Sequence, residues 1–180
     1  MIRLFDIFFS FFGIILLSPI FLIIFLISFF DTYSPLFYQE RIGLNEKKFI
    51  LVKFRTMKLN TPSSASHLID ISAITKFGFF IRLIKLDELP QLWNVLKGDM
   101  SFVGPRPCLF SQKKLIDERI KYKVFEVRPG ITGLAQISGI TMKTPRLLAY
   151  TDAKMISNMN LLKYYYYILF TFLKVFKLIK

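Results

Sequence analysis

Residues 7–30 read IFFSFFGIILLSPIFLIIFLISFF, 24 positions without a charge. As one straight helix the run reaches about 36 Å, enough to cross a hydrocarbon core of roughly 30 Å. A single transmembrane helix is the plainest reading. A secretory leader fits less well, because the run is long and no small-x-small cleavage site follows it. The middle of the run points elsewhere. Pro19 has no N–H, and its ring crowds the carbonyl four residues back, that of Ile15. Ser18 supplies a hydroxyl for a freed backbone group, as a broken membrane helix requires. The pair Ser18-Pro19 leaves two arms of about 11 residues, or roughly 16 Å each. Such arms suit a re-entrant hairpin that dips into one leaflet and returns. Arg3 precedes the run, and Arg41, Lys47, Lys48, Lys53, Arg55 and Lys58 follow it. Basic residues on both flanks favour both ends on the cytoplasmic side. From the residues alone, a kinked span and a re-entrant hairpin both stand.

The rest of the composition agrees with a membrane setting. Of 180 residues 53% are hydrophobic and 21 are Phe, with a mean hydropathy of +0.46. One core of ordinary size cannot hide that much apolar surface, so part of it faces lipid. Lys and Arg outnumber Asp and Glu 25 to 12. That excess suits an anionic membrane leaflet or a nucleic acid, and the apolar excess favours the membrane. The single cysteine, Cys108, has no internal disulfide partner. With the single histidine, His67, it cannot make a Cys/His metal site. A serine–histidine–aspartate triad would rest on His67, which adjoins a Ser-rich stretch, Thr61 to Ser66, that reads as a loop. A hard cation held by carboxylate and phosphate oxygens stays open.

Beyond the apolar run, Leu36–Tyr38 and Phe49–Val52 are β-prone and flank Gly43-Leu44-Asn45-Glu46, which has turn chemistry. A β-hairpin or small sheet is expected, ending in Lys53-Phe54-Arg55-Thr56-Met57. A basic helical pattern runs from about Ile69 to Leu86. A helix is expected over about 88–97, with Asp87 as its N-cap, Pro90 in its first turn and Gly98 as its stop. Gly104-Pro105-Arg106-Pro107 reads as a rigid turn, 109–124 as a charged helix, and 131–140 as glycine-punctuated loop with some extended chain. From Leu161 the chain LLKYYYYILFTFLKVFKLIK is helical and strongly apolar. Lys163 and Lys174 share a face, and Lys177 follows at i+3, a pattern suited to a helix lying in the membrane interface. A buried core helix with snorkelling lysines is the competing reading. The fold class is thus mixed α/β, mainly helical with a small β-hairpin. It comprises a membrane element over 1–33 and a catalytic domain over 34–180, whose last interfacial helix covers about 161–180.

The adjacent acids Asp87 and Glu88 stand out in so cationic a chain. As helix-start residues both complement the dipole, and many helices begin this way with no chemistry. Here Arg82 lies just upstream and Arg106, held between prolines, downstream. Carboxylates among arginines at a helix start are well placed to meet a phosphate. A metal ion could offset the repulsion between carboxylate and phosphate. A carboxylate could then act as a nucleophile through an acyl-phosphate.

These blocks together resemble the bacterial sugar transferase family, the monotopic polyprenyl-phosphate phosphoglycosyl transferases. The resemblance rests on Ser18-Pro19, YQERIG at 38–43, KFRTM at 53–57, LDELPQLWNVLKGDMSFVGPRP at 86–107 and RPGITGLAQISG at 128–139. It runs through nearly the whole chain and is strongest to the family's small members, which lack the N-terminal four-helix membrane bundle and further domain of the larger ones. It implies transfer of a sugar-1-phosphate from a UDP-sugar donor to undecaprenyl phosphate, with release of UMP. It further implies a ping-pong course in which Asp87 carries a covalent phosphosugar and Glu88 assists proton transfer or positioning. Mg²⁺ is the implied cofactor, near Asp87. Arg55, Arg82, Arg106 and, more weakly, Arg128 are the expected phosphate or nucleotide contacts. The implied membrane helix is re-entrant and broken at Ser18-Pro19, the implied location the cytoplasmic face of the inner membrane. Membrane lipids are expected partners and nucleic acid is not; neither the oligomeric state nor the donor sugar is legible. The chain departs from the family pattern at Ile140-Thr141, where Arg-Asn is frequent, and at Asn160 and Tyr164, where Ser and Asp are expected.

Three other readings compete. A catalytically inactive membrane adaptor would keep the fold to bind nucleotide or lipid phosphate, but the intact acidic pair argues against it. A nucleic-acid binder needs a basic face with exposed aromatics outside the membrane, whereas these aromatics concentrate in the two apolar segments. A single-span structural protein leaves residues 85–107 unexplained.

Overall fold

The computed structural model describes residues 2–59, 61 and 71–179. His67 and nearly all of the expected Ser-rich loop lie outside them, as does the side chain of Lys177. Helix α1, Ile2–Thr32, runs unbroken through Pro19. The break expected at Ser18-Pro19 is therefore not a gap in the helix. The Ser18 hydroxyl donates to the Ile15 carbonyl at 2.8 Å, the acceptor that Pro19 leaves without its usual partner. One side-chain donor thus lets the helix carry proline. Helix α1 is long and apolar enough to cross a membrane by length and composition. Its apolar side chains stand largely exposed, Leu16 at 79% and Phe30 at 75%.

The rest of the chain packs along one side of α1, and polar contacts tie both of its ends to it. At the start, Arg3 donates to the carbonyls of Val95 and Leu96, at 2.6 and 2.9 Å. One turn on, Asp6 is buried, and its Oδ1 accepts from the Ser101 hydroxyl, the Phe102 N–H and the Tyr164 hydroxyl, all within 3.1 Å. Toward the other end, Ile24 packs with Phe54 and Ile81. Asp31 accepts a 2.6 Å hydrogen bond from Thr75, whose oxygen also caps α2 (Lys76–Leu83) by accepting from the Gly78 N–H.

The expected hairpin forms from β1 (Leu36–Ile42) and β2 (Lys48–Phe54), antiparallel, with Leu36 opposite Phe54 and Ile42 opposite Lys48. Helix α3 (Gln91–Lys97) docks on β2 through Asn94. Its Oδ1 accepts from the Val52 N–H at 3.0 Å, and its Nδ2 donates to the Ile50 carbonyl at 2.7 Å. One buried amide thus satisfies both free strand groups. Gly98 ends α3 at φ 104, a left-handed conformation that glycine adopts without Cβ strain.

Three sequence expectations change. Asp87 is not the N-cap of a helix over 88–97. A 3-10 turn, Leu86–Glu88, precedes α3, and Asp87 sits in its middle. Lys85, at φ 62 and ψ 15, turns the chain out of α2 and into that turn, so the separate turn, rather than capping, sets the direction of Asp87. The segment 101–103, uncalled from sequence, is strand β3 (Ser101–Val103). It pairs in parallel with β4 (Gly130–Thr132), followed by a short helix α5 (Leu134–Ile137) where only loop was expected. A Cβ on Gly130 would lie 2.0 Å from the Gly104 nitrogen, so this pairing requires the bare backbone that the GPRP and RPG motifs provide. The charged helix over 109–124 shortens to α4 (Lys113–Lys121).

Helix α6 (Pro145–Ser157) packs on α4 and α5. Helix α7 (Leu161–Ile179) follows, with the Asn160 side chain accepting from the Lys163 N–H at its start. Tyr164 and Tyr167 of α7 are buried, while Leu162, Leu169, Phe172 and Leu173 are exposed. One face therefore packs and another offers apolar surface.

Candidate active site

The Leu86–Glu88 turn places Asp87 and Glu88 where α2, α3 and β2 meet. Asp87 is 6% exposed. Glu88 Oε1 accepts from Arg106 Nη2 at 3.2 Å, and the Glu88 side chain is 15% exposed. Their surroundings push the two acids in opposite directions. Burial, reinforced by the Glu88 charge, pushes the Asp87 carboxyl up to about 6 against the pull of Lys53, Lys85 and Arg82. Burial also opposes ionisation of Glu88, but Arg106, Lys85 and Lys53 outweigh it and hold its carboxyl below the ordinary value. Adjacent acids whose environments drive them apart suit two different roles.

A shell of cations surrounds the pair. Arg82 donates through Nε to the Thr56 hydroxyl at 2.6 Å. Burial is the main cause that lowers its guanidinium, and Asp87 and Glu88 counter it. Lys53 is pulled down to about 8 by burial, despite the nearby Asp87. Arg41 is buried, donates to the Pro107 carbonyl at 2.9 Å and is also hydrogen-bonded to Gln39. Burial and the neighbouring Arg106 lower it to about 10. Arg41, Lys53, Glu88, Gln91 and Arg106 line a narrow cleft.

Behind Arg106 stands a buried ion pair. Arg119 Nη2 donates to Asp152 Oδ2 at 2.7 Å, and Arg119 Nη1 donates to the Arg106 carbonyl at 2.8 Å. Helices α4 and α6 therefore reach the site by holding the backbone that carries Arg106.

Of the sequence candidates, the structure gathers Asp87, Glu88, Arg82 and Arg106. Arg55 and Arg128 stand apart from that group. Arg55 Nε donates to the Ser34 carbonyl at 2.9 Å, and its guanidinium lies 5.4 Å from the centre of the Phe37 ring. Arg128 Nε donates to the Gly98 carbonyl at 2.8 Å, just past the end of α3. Both steady backbone that supports the site. Lys53, Lys85 and Arg41 were not among the candidates. Strand period could have found two of them. Phe49 and Leu51 point inward on β2, and Lys53 follows in step; Arg41 sits opposite Phe49 on β1. Lys85 left no such signal, because a left-handed residue decides its position.

Among the described residues no group of three or more His, Cys, Asp or Glu side chains gathers as a metal cage. Asp87 makes no ion pair among them. A divalent cation such as Mg²⁺, which takes one or two carboxylates and completes its shell with phosphate and water, fits a single carboxylate such as that of Asp87. The arrangement can do phosphate chemistry: a buried carboxylate able to ionise near neutrality, a charged acid fixed by arginine, and cations for phosphate oxygens.

The sequence profile of the bacterial sugar transferase family matches residues 1–178. An uncharacterized sugar transferase, EpsL of Bacillus subtilis, is 50% identical over 107 residues, 59% of this chain and 52% of the relative. The undecaprenyl-phosphate galactose phosphotransferase of Salmonella typhimurium is 33% identical over 176 residues, 88% of this chain and 37% of the relative. The UDP-glucose:undecaprenyl-phosphate glucose-1-phosphate transferase of Xanthomonas campestris is 40% identical over 122 residues, 63% of this chain and 25% of the relative. The chain thus spans between a quarter and about half the length of these curated relatives.

Proposed function

Because the chain belongs to the bacterial sugar transferase family, we propose that it moves a sugar-1-phosphate from a UDP-sugar to undecaprenyl phosphate, an early membrane step of polysaccharide assembly. The observation that carries this reading is the buried Asp87, held beside the Glu88–Arg106 pair among Lys53, Lys85 and Arg82. An Asp87 carboxylate oxygen attacks the β-phosphorus of the donor. The bond from that phosphorus to the bridging oxygen breaks, and UMP leaves with the electron pair. The enzyme then carries an acyl-phosphate with the sugar attached. A phosphate oxygen of undecaprenyl phosphate attacks the same phosphorus, the bond to Asp87 breaks, and the carboxylate is restored. Lys53, Arg82 and Arg106 neutralise charge that builds on the phosphate oxygens. Glu88 stays ionised and holds the Arg106 guanidinium in place. Mg²⁺, held by Asp87 together with the diphosphate, would supply further charge neutralisation there.

Residues 1–33 serve as a re-entrant membrane element and 34–180 as the catalytic domain on the cytoplasmic face, with α7 in the interface. Support comes from the two ends of α1. Arg3 and Asp31 both bind the same packed body, whereas the far end of a perpendicular span would lie across roughly 30 Å of hydrocarbon.

The test is UMP release by purified protein in nanodiscs, with Mg²⁺, undecaprenyl phosphate and a panel of UDP-sugars. Release with one donor, abolished in Asp87→Asn, is expected. Release from the Asp87→Asn protein at the wild-type rate would end the covalent mechanism. No UMP from any donor, with the protein folded, would favour an inactive adaptor.

A further inference from the structure

A cavity of about 630 Å³ opens between α1 and α7, within the range of roughly 300–1,000 Å³ typical of small-molecule sites. Phe9, Gly13 and Leu17 of α1 line one wall; four-residue spacing puts them on one helical face. Tyr165 and Ile168 of α7 line the opposite wall. Lys85, Glu88 and Arg106 line it too, with Lys174 of α7. Glu88 and Arg106 also line the narrow cleft that holds Arg41 and Lys53. One ion pair therefore stands where a polar cleft and an apolar cavity meet, next to Asp87.

We propose that this cavity between α1 and α7 is the groove for the isoprenoid chain of the acceptor, with the Glu88–Arg106 pair where the acceptor phosphate sits. The inference rests on the function proposed above. The occupant must be largely apolar and carry an anion, because the lining is mostly apolar and includes Lys85 and Arg106 beside the acidic pair. A polyprenyl phosphate has that chemistry. Its phosphate meets Lys85 and Arg106 beside Asp87, its first isoprene units fill the cavity, and the rest of the chain passes into lipid along the exposed apolar faces of α1 and α7.

A second apolar groove offers an internal control. It lies on another side of α1, lined by Phe21, Leu22, Phe25, Tyr38 and Trp93, and the dyad does not border it. Two measurements test the proposal. The first uses wild-type protein in nanodiscs and a diazirine-bearing polyprenyl phosphate, with no donor present. Crosslinks are expected on peptides containing Phe9, Leu17 or Ile168, suppressed by undecaprenyl phosphate and not by phosphatidylglycerol. Crosslinks confined to Phe21–Phe25, or equal suppression by both lipids, would overturn the groove assignment whether or not any donor is turned over.

The second measurement separates the half-reactions with a labelled UDP-sugar. Ile168→Trp and Leu17→Trp, which fill the cavity, should lower the ratio of acceptor-chase rate to adduct-formation rate by tenfold or more, whereas Leu22→Trp should leave it at the wild-type value. A wild-type ratio in both filled variants would refute the groove while leaving the function intact. Absence of any wild-type adduct, with the crosslinks in place, would instead refute the covalent mechanism and keep the groove.

Discussion

Asp87→Asn should make the protein more stable while stopping its chemistry. The Asp87 carboxyl is raised from 3.8 to about 6, first by burial and then by the charge of Glu88. The folded state thus prefers the protonated acid, and ionisation costs stability. The sign follows from linkage: the cost is absent below pH 3.8, grows between the two values, and is complete above about pH 6. A gap of about two pH units corresponds to about 3 kcal/mol. Asparagine keeps the shape without the charge and should recover most of that. For a chain of this length the gain is about 6–12 °C in Tm. The assay is thermal unfolding of wild type and Asp87→Asn in one detergent at pH 8 and pH 4. At pH 4 the gain should shrink to about 0.5 kcal/mol, because the wild-type acid is then protonated in the folded state and only about 60% ionised in the unfolded one. A variant no more stable than wild type at pH 8, or a gain equal at both pH values, would refute the account of Asp87 as a strained buried carboxylate. The gain in stability with loss of activity is the expected signature of a functional group held against its own preference.

Adduct formation should share the same group and rise with pH through about 6 as Asp87 ionises; a rate flat from pH 4.5 to 7.5 would contradict it. Glu88→Gln leaves Arg106 without its ionic partner and should slow adduct formation by roughly 10²-fold through misplacement of that guanidinium, measured by single-turnover labelling. Asp152→Asn strands the buried Arg119 charge and should cost about 3–5 kcal/mol of stability, read by denaturant unfolding; a cost under about 1 kcal/mol would argue against the pair as a support for Arg106. In spheroplasts, cysteines placed at Leu4 and at Tyr33 should both resist a membrane-impermeant maleimide until the membrane is opened. Labelling of either from outside would mark a spanning helix.

Much of this protein was legible along the chain. The apolar run of 7–30, the hairpin around Gly43–Glu46, the stop at Gly98 and the apolar helix from Leu161 all follow from local rules. Hydrophobic length, turn chemistry and left-handed glycine act on neighbours in sequence. Local chemistry even anticipated that the Ser18 hydroxyl would serve the carbonyl freed by Pro19. The acidic pair and two of its arginines stood out because a block of charge in an apolar, cationic chain demands a reason.

What the chain alone could not decide was set by contacts between distant segments. Strand β3 exists because Gly104 and Gly130 let two backbones approach as no side-chain-bearing pair could. The setting of Asp87 depends on Lys53 from β2 and Arg82 from α2, and a charge becomes a neighbour only when the fold brings it within reach. Arg55 and Arg128 were expected from sequence as phosphate contacts, and only the fold shows that each also donates to a backbone carbonyl, of Ser34 and Gly98. Tyr164, a departure from the family pattern, is a third donor to the buried Asp6, 158 residues away. Sequence thus settled which segments are apolar, turned or charged, since those properties belong to residues. Burial and pairing belong to the assembled fold, so only the tertiary structure decided which charge faces which.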